Sequence, residues 1–268
     1  MRYGIIVLGV LFVLSGCQEN TNKTSEEKAN SIEENSNEKY QGEEPTTPEA
    51  TEIYEPVPPK VTVDSNGLPN DAIVLFDGTN LDEWISAADS TAAKWEINKD
   101  DSMTVKDKSG NIQTKRNFGS IQLHLEWKSP LQIMNEGQAR ANSGVFIQQR
   151  YEIQILDNND NPTYTNGQVG SVYKQSVPLA MASKPTGEWN SYDIIFHAPE
   201  FKEEALSKPA YVTVLHNGVL IQDHFEIEGI IKYIGWPNYE AHGKAPIVLQ
   251  DHRDNSRVSY RNIWVREL

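Results

Sequence analysis

Ten short runs rich in β-branched and aromatic residues, separated by polar turn signals, dictate what residues 61–268 can fold into. They fall at 73–76, 95–97, 121–127, 145–148, 151–156, 192–196, 212–216, 219–222, 247–250 and 258–265. Such runs favour strands, because branched and aromatic side chains pack well on a pleated surface. No long stretch shows helical periodicity. In 121–128, Ile121, Leu123, Leu125 and Trp127 alternate with Gln122, His124, Glu126 and Lys128, the period of a strand with one buried face. Asn217-Gly218 stands between two runs, and both residues tolerate positive φ, so a two-residue hairpin is predicted there. Many short strands joined by turns predict an all-β fold, an antiparallel sandwich or jelly roll. The length suffices for one domain with a substantial core.

The segments before this domain have a different character. Arg2 provides a short positive start, 5–14 is an apolar run, and Leu14-Ser15-Gly16-Cys17 carries the small residues of a cleavage site. The run is too short for a membrane-spanning helix. Leu-Ser-Gly-Cys resembles the lipobox of bacterial lipoproteins, which implies a signal peptide over 1–17 and lipid on Cys17. The residue after it is Gln18, not Asp, so the resemblance implies an outer-membrane lipoprotein, facing either the periplasm or the cell surface. Cys17 is the chain's single cysteine, which excludes an internal disulfide and a cysteine nucleophile in the domain. Residues 18–60 carry eleven acidic and four basic side chains, a net of −7 and half of the chain's −14, with few large apolar residues. Such a segment cannot offset its ordering entropy and is expected to be a disordered acidic linker. An acidic balance without a basic stripe argues against a nucleic-acid partner.

Within the domain, 140–157 reads RANSGVFIQQRYEIQILD. If Ile153 and Ile155 fill a core, Glu152 and Gln154 share the opposite face of their strand, about 7 Å apart. Many solvated strands carry polar residues in this pattern for solubility alone. A curled sheet also leaves a concave outer face, a natural trough for a ring-shaped ligand. Patterning places His124 and Glu126 on an outward face too, where they could stand beside Glu152 and Gln154.

The segments EWKSP, GQARANSGVFIQ, RYEIQILDN, GEWNSYDIIFHAPEF, PAYVTVLHNGVLIQDH, PIVLQDH and RNIWVREL, with the opening LFDGTNLDEW, resemble the 3-keto-disaccharide hydrolase family across most of residues 71–268. The resemblance implies a concanavalin A-like, laminarinase-type jelly roll of two antiparallel sheets. It also implies cleavage of glycosidic bonds in sugars oxidised at C3, and so a carbohydrate substrate and a link to a sugar 3-dehydrogenase. In the family the Gln-Asp-His run is commonly followed by glycine and a tight turn. Here Arg253-Asp254-Asn255-Ser256-Arg257 stands instead, which could re-aim the pocket.

A ketone at C3 acidifies the C2 proton. A base can then remove it and the C1 leaving group departs by elimination, with or without later addition of water. This route needs one base, one acid and donors around the C3 oxygen. Glu152 is the expected base, because a partly desolvated carboxylate has a raised pKa; the alternative is a solvated or cross-strand-paired glutamate. His252 is the second acid/base candidate; the alternative is a histidine tied to Asp251 or to a loop carbonyl, and Asp251 could also orient it for catalysis. Gln154, Arg140, Asn142, Lys174, Gln250 and Asp251, with His124 and Glu126, are the expected substrate-binding groups. For Lys174 an ordinary surface role is as good a reading, and Asn142 could serve its own turn. Trp236, in an irregular Gly-Trp-Pro stretch near His242, could overhang the trough.

Two other readings fit parts of the pattern. A laminarinase-type glycoside hydrolase would place acidic residues at i, i+2 and i+4 of one strand, but those positions here are Glu152, Gln154 and Leu156. A glycan-binding module without catalysis would need only aromatics and donors. A divalent metal is conceivable at two places. Asp157-Asn158-Asn159-Asp160-Asn161 is rich in oxygen ligands but lacks the glycine and closing glutamate of a calcium loop. His124, Glu126 and His252 could hold a transition metal if they converge.

Overall fold

The computed structural model describes residues 44–65 and 67–268, so the expected signal peptide, Cys17 and most of the expected linker lie outside the described residues. The chain divides into two compact units at Pro59/Lys60. The described part of the first unit is exposed throughout, with one 3-10 turn at Pro48–Thr51. No helix among the described residues is long and apolar enough to cross a membrane.

The second unit is an antiparallel β-sandwich. One sheet contains β1 (Ile73–Phe76), β3 (Glu96–Ile97), β4 (Met103–Thr104), β6 (Ile121–Lys128), β9 (Asn190–His197), β12 (Tyr211–His216), β13 (Val219–Glu226) and β15 (Ser259–Glu267). Its order is β13-β12-β9-β6-β15-β4-β3, with β1 also paired to β15. The opposing sheet has the order β2-β5-β14-β7-β8, formed by β2 (Trp84–Ser86), β5 (Ile112–Thr114), β7 (Ser143–Ile147), β8 (Tyr151–Ile155) and β14 (Val248–Leu249). A separate hairpin joins β10 (Glu200–Lys202) to β11 (Ala205–Lys208). Asn217 and Gly218 both take positive φ, and His216 pairs with Val219 across them, so this hairpin forms as its dipeptide requires.

Alternation decides which side chains meet in the interior. Ile121, Leu123, Leu125 and Trp127 of β6 are buried, as are Val145, Ile153 and Ile155 of the opposite sheet. Two hydroxyl contacts in the interior tie the layers together. Tyr192 Oη donates to Gln154 O at 2.8 Å, and Ser143 Oγ lies 2.6 Å from Tyr260 Oη while donating to Gln250 O at 2.6 Å. Both fix, from the core side, backbone that carries outward-facing glutamines.

β8 does not behave as a half-solvated strand. All five of its residues are buried. The segment 170–173 lies along its free edge, with Gln154 N donating to Ser171 O, Gly170 N to Gln154 O and Tyr173 N to Glu152 O. This satisfies an edge that would otherwise be open, and it brings Tyr173 level with Glu152.

Candidate active site

Register on the outer face of the five-stranded sheet builds the site. Phe146 lies opposite Glu152 and Gly144 opposite Gln154, while Val248 pairs with Phe146 on the other flank of β7. Gln250 continues β14 beside Gly144, its N–H donating to Gly144 O at 3.1 Å. Glu152, Gln154 and Gln250 therefore occupy three neighbouring positions on one rigid surface.

A cavity of about 320 Å3 opens over this surface, and Glu152, Gln154, Gln250, His252, Tyr173 and Tyr233 contribute to its lining. Glu152 is 5% exposed, and its carboxylate makes no hydrogen bond among the described residues. Burial without compensation disfavours the charged form and pushes its pKa up to about 8. It is the sole carboxylate among the described lining residues. Gln154 Oε1 and Gln250 Oε1 are buried acceptors that lack a partner among the described residues. Unpaired buried acceptors are costly, so these two fit a ligand that brings hydroxyl donors.

Glycine makes the carboxylate's position possible. A Cβ at Gly144 would overlap Glu152 Oε1 and come within 2.9 Å of its Cδ. Gly144 has no positive φ, so the requirement is for room alone.

His252 stands at the rim. Its Nδ1 lies 2.7 Å from Asp254 Oδ2, and with Asp254 accepting the Nδ1 proton, Nε2 is left free for chemistry. The expected partner Asp251 does something else. It is buried, with Oδ2 accepting from Gly110 N and Oδ1 from Arg253 N, each at 2.9 Å. Arg253 and Asn255 take left-handed backbone conformations that curl the loop and swing Asp254 back to the imidazole. Asp251 thus holds the loop and is not among the cavity's lining residues.

Other expectations are corrected by the fold. His124 and Glu126 belong to the eight-stranded sheet and face outward on the opposite side of the sandwich. There His124 Nδ1 meets Asp193 Oδ1 at 2.7 Å and its ring stacks on Trp264, while Glu126 pairs with Arg261. They do not stand beside Glu152, and they do not converge with His252 on a metal. No cluster of three metal-ligating His, Cys, Asp or Glu residues exists among the described residues. Arg140 lies outside the cavity; its Nε is 3.4 Å from Asp157 Oδ1, close enough for charge pairing but not aligned for a hydrogen bond. In the 157–161 segment Asp157 and Asn161 are engaged, Ser129 Oγ donating to Asp157 Oδ2, Gly137 N to Asn161 Oδ1 and Asn161 Nδ2 to Asp157 O, while the buried Asn158 Oδ1 has no partner among the described residues.

Lys174 also misses the Glu152 cavity. Its ammonium donates to Tyr233 O at 2.6 Å and lies 4.4 Å over the Tyr233 ring. Asn142 does line the cavity, while its Nδ2 donates to Gln138 O, so it serves the local backbone as well. Sequence reasoning missed the lining residues Phe146, Ile231, Tyr173 and Tyr233, of which the last two carry polar groups. Both come from irregular segments without periodicity, and Tyr173 is revealed only by its pairing along β8. Burial holds the Tyr173 phenol above its usual range, so it remains a neutral hydroxyl, 2.6 Å from that of Tyr164.

Comparison with known proteins places this geometry in context. A family model described as a 3-keto-alpha-glucoside-1,2-lyase-like domain matches residues 71–266. A crystal structure of a "putative glycosyl hydrolase" from Parabacteroides distasonis ATCC 8503 is 49% identical, covers 83% of this chain and 97% of its own, and superposes with a TM-score of 0.80. Two further proteins of that organism, described in the same words, share the fold at 21% and 24% identity, with TM-scores of 0.55 and 0.53. Each covers 74% of this chain, and 94% and 100% of its own length respectively. No protein of curated function matches the chain.

Proposed function

Since the chain belongs to the 3-keto-alpha-glucoside-1,2-lyase-like domain family, a family of glycoside-cleaving type, we propose that it cleaves 3-keto glycosides by removing the C2 proton. The observation that carries this reading is Glu152, a buried carboxylate without a partner among the described residues, in the lining of a sugar-sized cavity.

In the proposed reaction Glu152 takes the C2 proton, acidified by the adjacent ketone. The C2–H electron pair becomes the C1=C2 double bond, the C1–O bond breaks, and His252 Nε2 delivers a proton to the departing oxygen. Glu152 is suited to the first step because lack of solvation strengthens it as a base. Asp254 suits His252 to the second by accepting the Nδ1–H of the doubly protonated ring, which leaves the Nε2 proton for delivery. The C3 oxygen gathers charge as the proton leaves, and Tyr233 and the Gln250 amide are neutral donors lining the cavity. Addition of water across C1=C2 would complete a net hydrolysis.

A retaining glycosidase mechanism has less support. It needs a second carboxylate about 5 Å from the first. Leu156 is buried in the core at the position where laminarinase-type strands carry one, and Asp157 is engaged by Ser129 and Arg140. A binding module would have no use for an unpartnered buried carboxylate.

The proposal extends to context. Leu14-Ser15-Gly16-Cys17 supports lipid attachment at Cys17 and an outer-membrane location, and a substrate oxidised at C3 must come from a sugar 3-dehydrogenase. The test is to incubate the protein with oxidised and unoxidised forms of one glucoside. Aglycone release from the oxidised form alone is expected; equal release from both would favour an ordinary glycosidase.

A further inference from the structure

We propose that the trough beyond Tyr173 and Tyr233 is the subsite for the departing group, and that Trp236 there selects leaving groups carrying a ring with an apolar face. The inference rests on the reaction proposed above and concerns what that reaction releases.

The starting point is continuity. For Glu152 to reach the C2 hydrogen, the oxidised ring must lie in the cavity with Gln154, Gln250 and His252. Whatever is joined to C1 must then occupy adjoining space. A second cavity of about 440 Å3 shares Tyr173 and Tyr233 with the first, and Trp236 forms part of its wall.

The aromatic wall is unusually exposed. Trp236 is 89% exposed and Tyr233 73%, with Ile234 between them also exposed. Trp236 has no ring or hydrogen-bond partner among the described residues. Single exposed apolar residues are ordinary, but a contiguous group beside a cavity marks a binding surface. Indole is suited to this task, because its flat face gains from burial against a ring while its N–H stays available for a polar edge.

The loop that carries these rings is held at its base. Gly229 N–Cα packs so closely on Asn238 that a Cβ would overlap the Asn238 backbone, and Ile230 N donates to Asn238 O at 2.9 Å. Gln175 grips the same neck, donating to Gly229 O at 2.9 Å and accepting from Glu228 N at 2.8 Å. Lys174 holds Tyr233 through its carbonyl and its ring. With the neck of the loop and Tyr233 held in this way, a ligand that settles on Trp236 has chiefly the indole's own rotamer to order. Two chemistries offer such a ring, an aryl group and a second pyranose, and the experiment separates them.

Trp236→Ala and Trp236→Phe should be compared with the wild type on three oxidised glucosides, bearing a methyl, a phenyl and a second glucosyl group at C1. The alanine variant is expected to lose about tenfold in kcat/KM on phenyl, glucosyl or both, the pattern naming the ring preferred, to keep the wild-type value on methyl, and to be largely restored by phenylalanine. An equal loss on all three substrates, or no loss on any, overturns the subsite. If the wild type turns over no oxidised glucoside, the reaction reading falls and calorimetry decides the subsite. Roughly tenfold weaker binding of unoxidised phenyl glucoside or disaccharide by the alanine variant supports it, and equal or undetectable binding by both proteins overturns it.

Discussion

The carboxylate of Glu152 lies over Gly144 on the neighbouring strand, in space that any side chain at 144 would fill. The proposed base is therefore positioned by an absence of atoms as much as by its own strand. Gly144 is in ordinary extended backbone, so alanine there strains nothing locally and must instead displace Oε1. Gly144→Ala is expected to lower kcat/KM about a hundredfold, the order associated with an ångström of misplacement, with thermal stability nearly unchanged. Steady-state kinetics beside a melting curve checks both halves.

Glu152→Gln keeps shape and removes the base. Turnover of a 3-keto glucoside should fall by roughly 10²–10⁴-fold. A glycan-binding module would instead keep its affinity, which calorimetry would detect.

Ionisation of Glu152 should also shape the pH profile. On a substrate whose leaving group needs no proton, such as an oxidised nitrophenyl glucoside, the carboxylate of Glu152 alone sets the profile, and kcat/KM is expected to rise about tenfold per unit and level off above about 8; with an alkyl leaving group the need for a protonated His252 turns the curve down again at high pH. The sign for stability is opposite. The folded state holds the proton more tightly than the unfolded chain, whose glutamate titrates near 4.5, so stability falls as pH climbs from there toward about 8. Glu152→Gln should abolish that part of the slope, and the unfolding midpoints of the two proteins across this range measure it.

Asp254 and Asp251 should separate cleanly. Asp254→Asn weakens the acceptor of the His252 Nδ1–H, and about tenfold loss in kcat/KM is expected with stability retained. Asp251→Ala orphans the N–H groups of Gly110 and Arg253 and should cost about 1–3 kcal/mol of stability.

On the far side of the sandwich, His124→Ala and Glu126→Ala are expected to leave kcat/KM within twofold of wild type, because they face away from the cavity. A large loss in either would mean that the site has been drawn on the wrong sheet.

What the sequence revealed follows from what is local. Period-2 alternation placed Glu152 and Gln154 on one face, and Asn217-Gly218 announced its hairpin, since both depend on neighbours in the chain. The joining of β6 to β9 and β15, which carries His124 and Glu126 to the other sheet, depends on partners about 70 and 140 residues away. β2, β4, β5, β10 and β11 left little trace, being two to four residues long. Asp254 was hidden by loop conformation, because left-handed residues at 253 and 255 undo the expectation that the adjacent Asp251 would be the partner. Burial of β8 on both faces could not be read either, as the covering segment 170–173 has no strand pattern of its own.

The most direct test of proton abstraction at C2 is to run the reaction in D2O and inspect the sugar product by NMR, with the enzyme-free exchange of the 3-keto substrate subtracted. Wild-type protein should release a sugar that carries deuterium at C2 if water adds back, or an unsaturated sugar that has lost the C2 hydrogen if it does not, and Glu152→Gln should form neither. A saturated product that retains its original C2 hydrogen would contradict the account, because direct displacement at C1 never touches that bond.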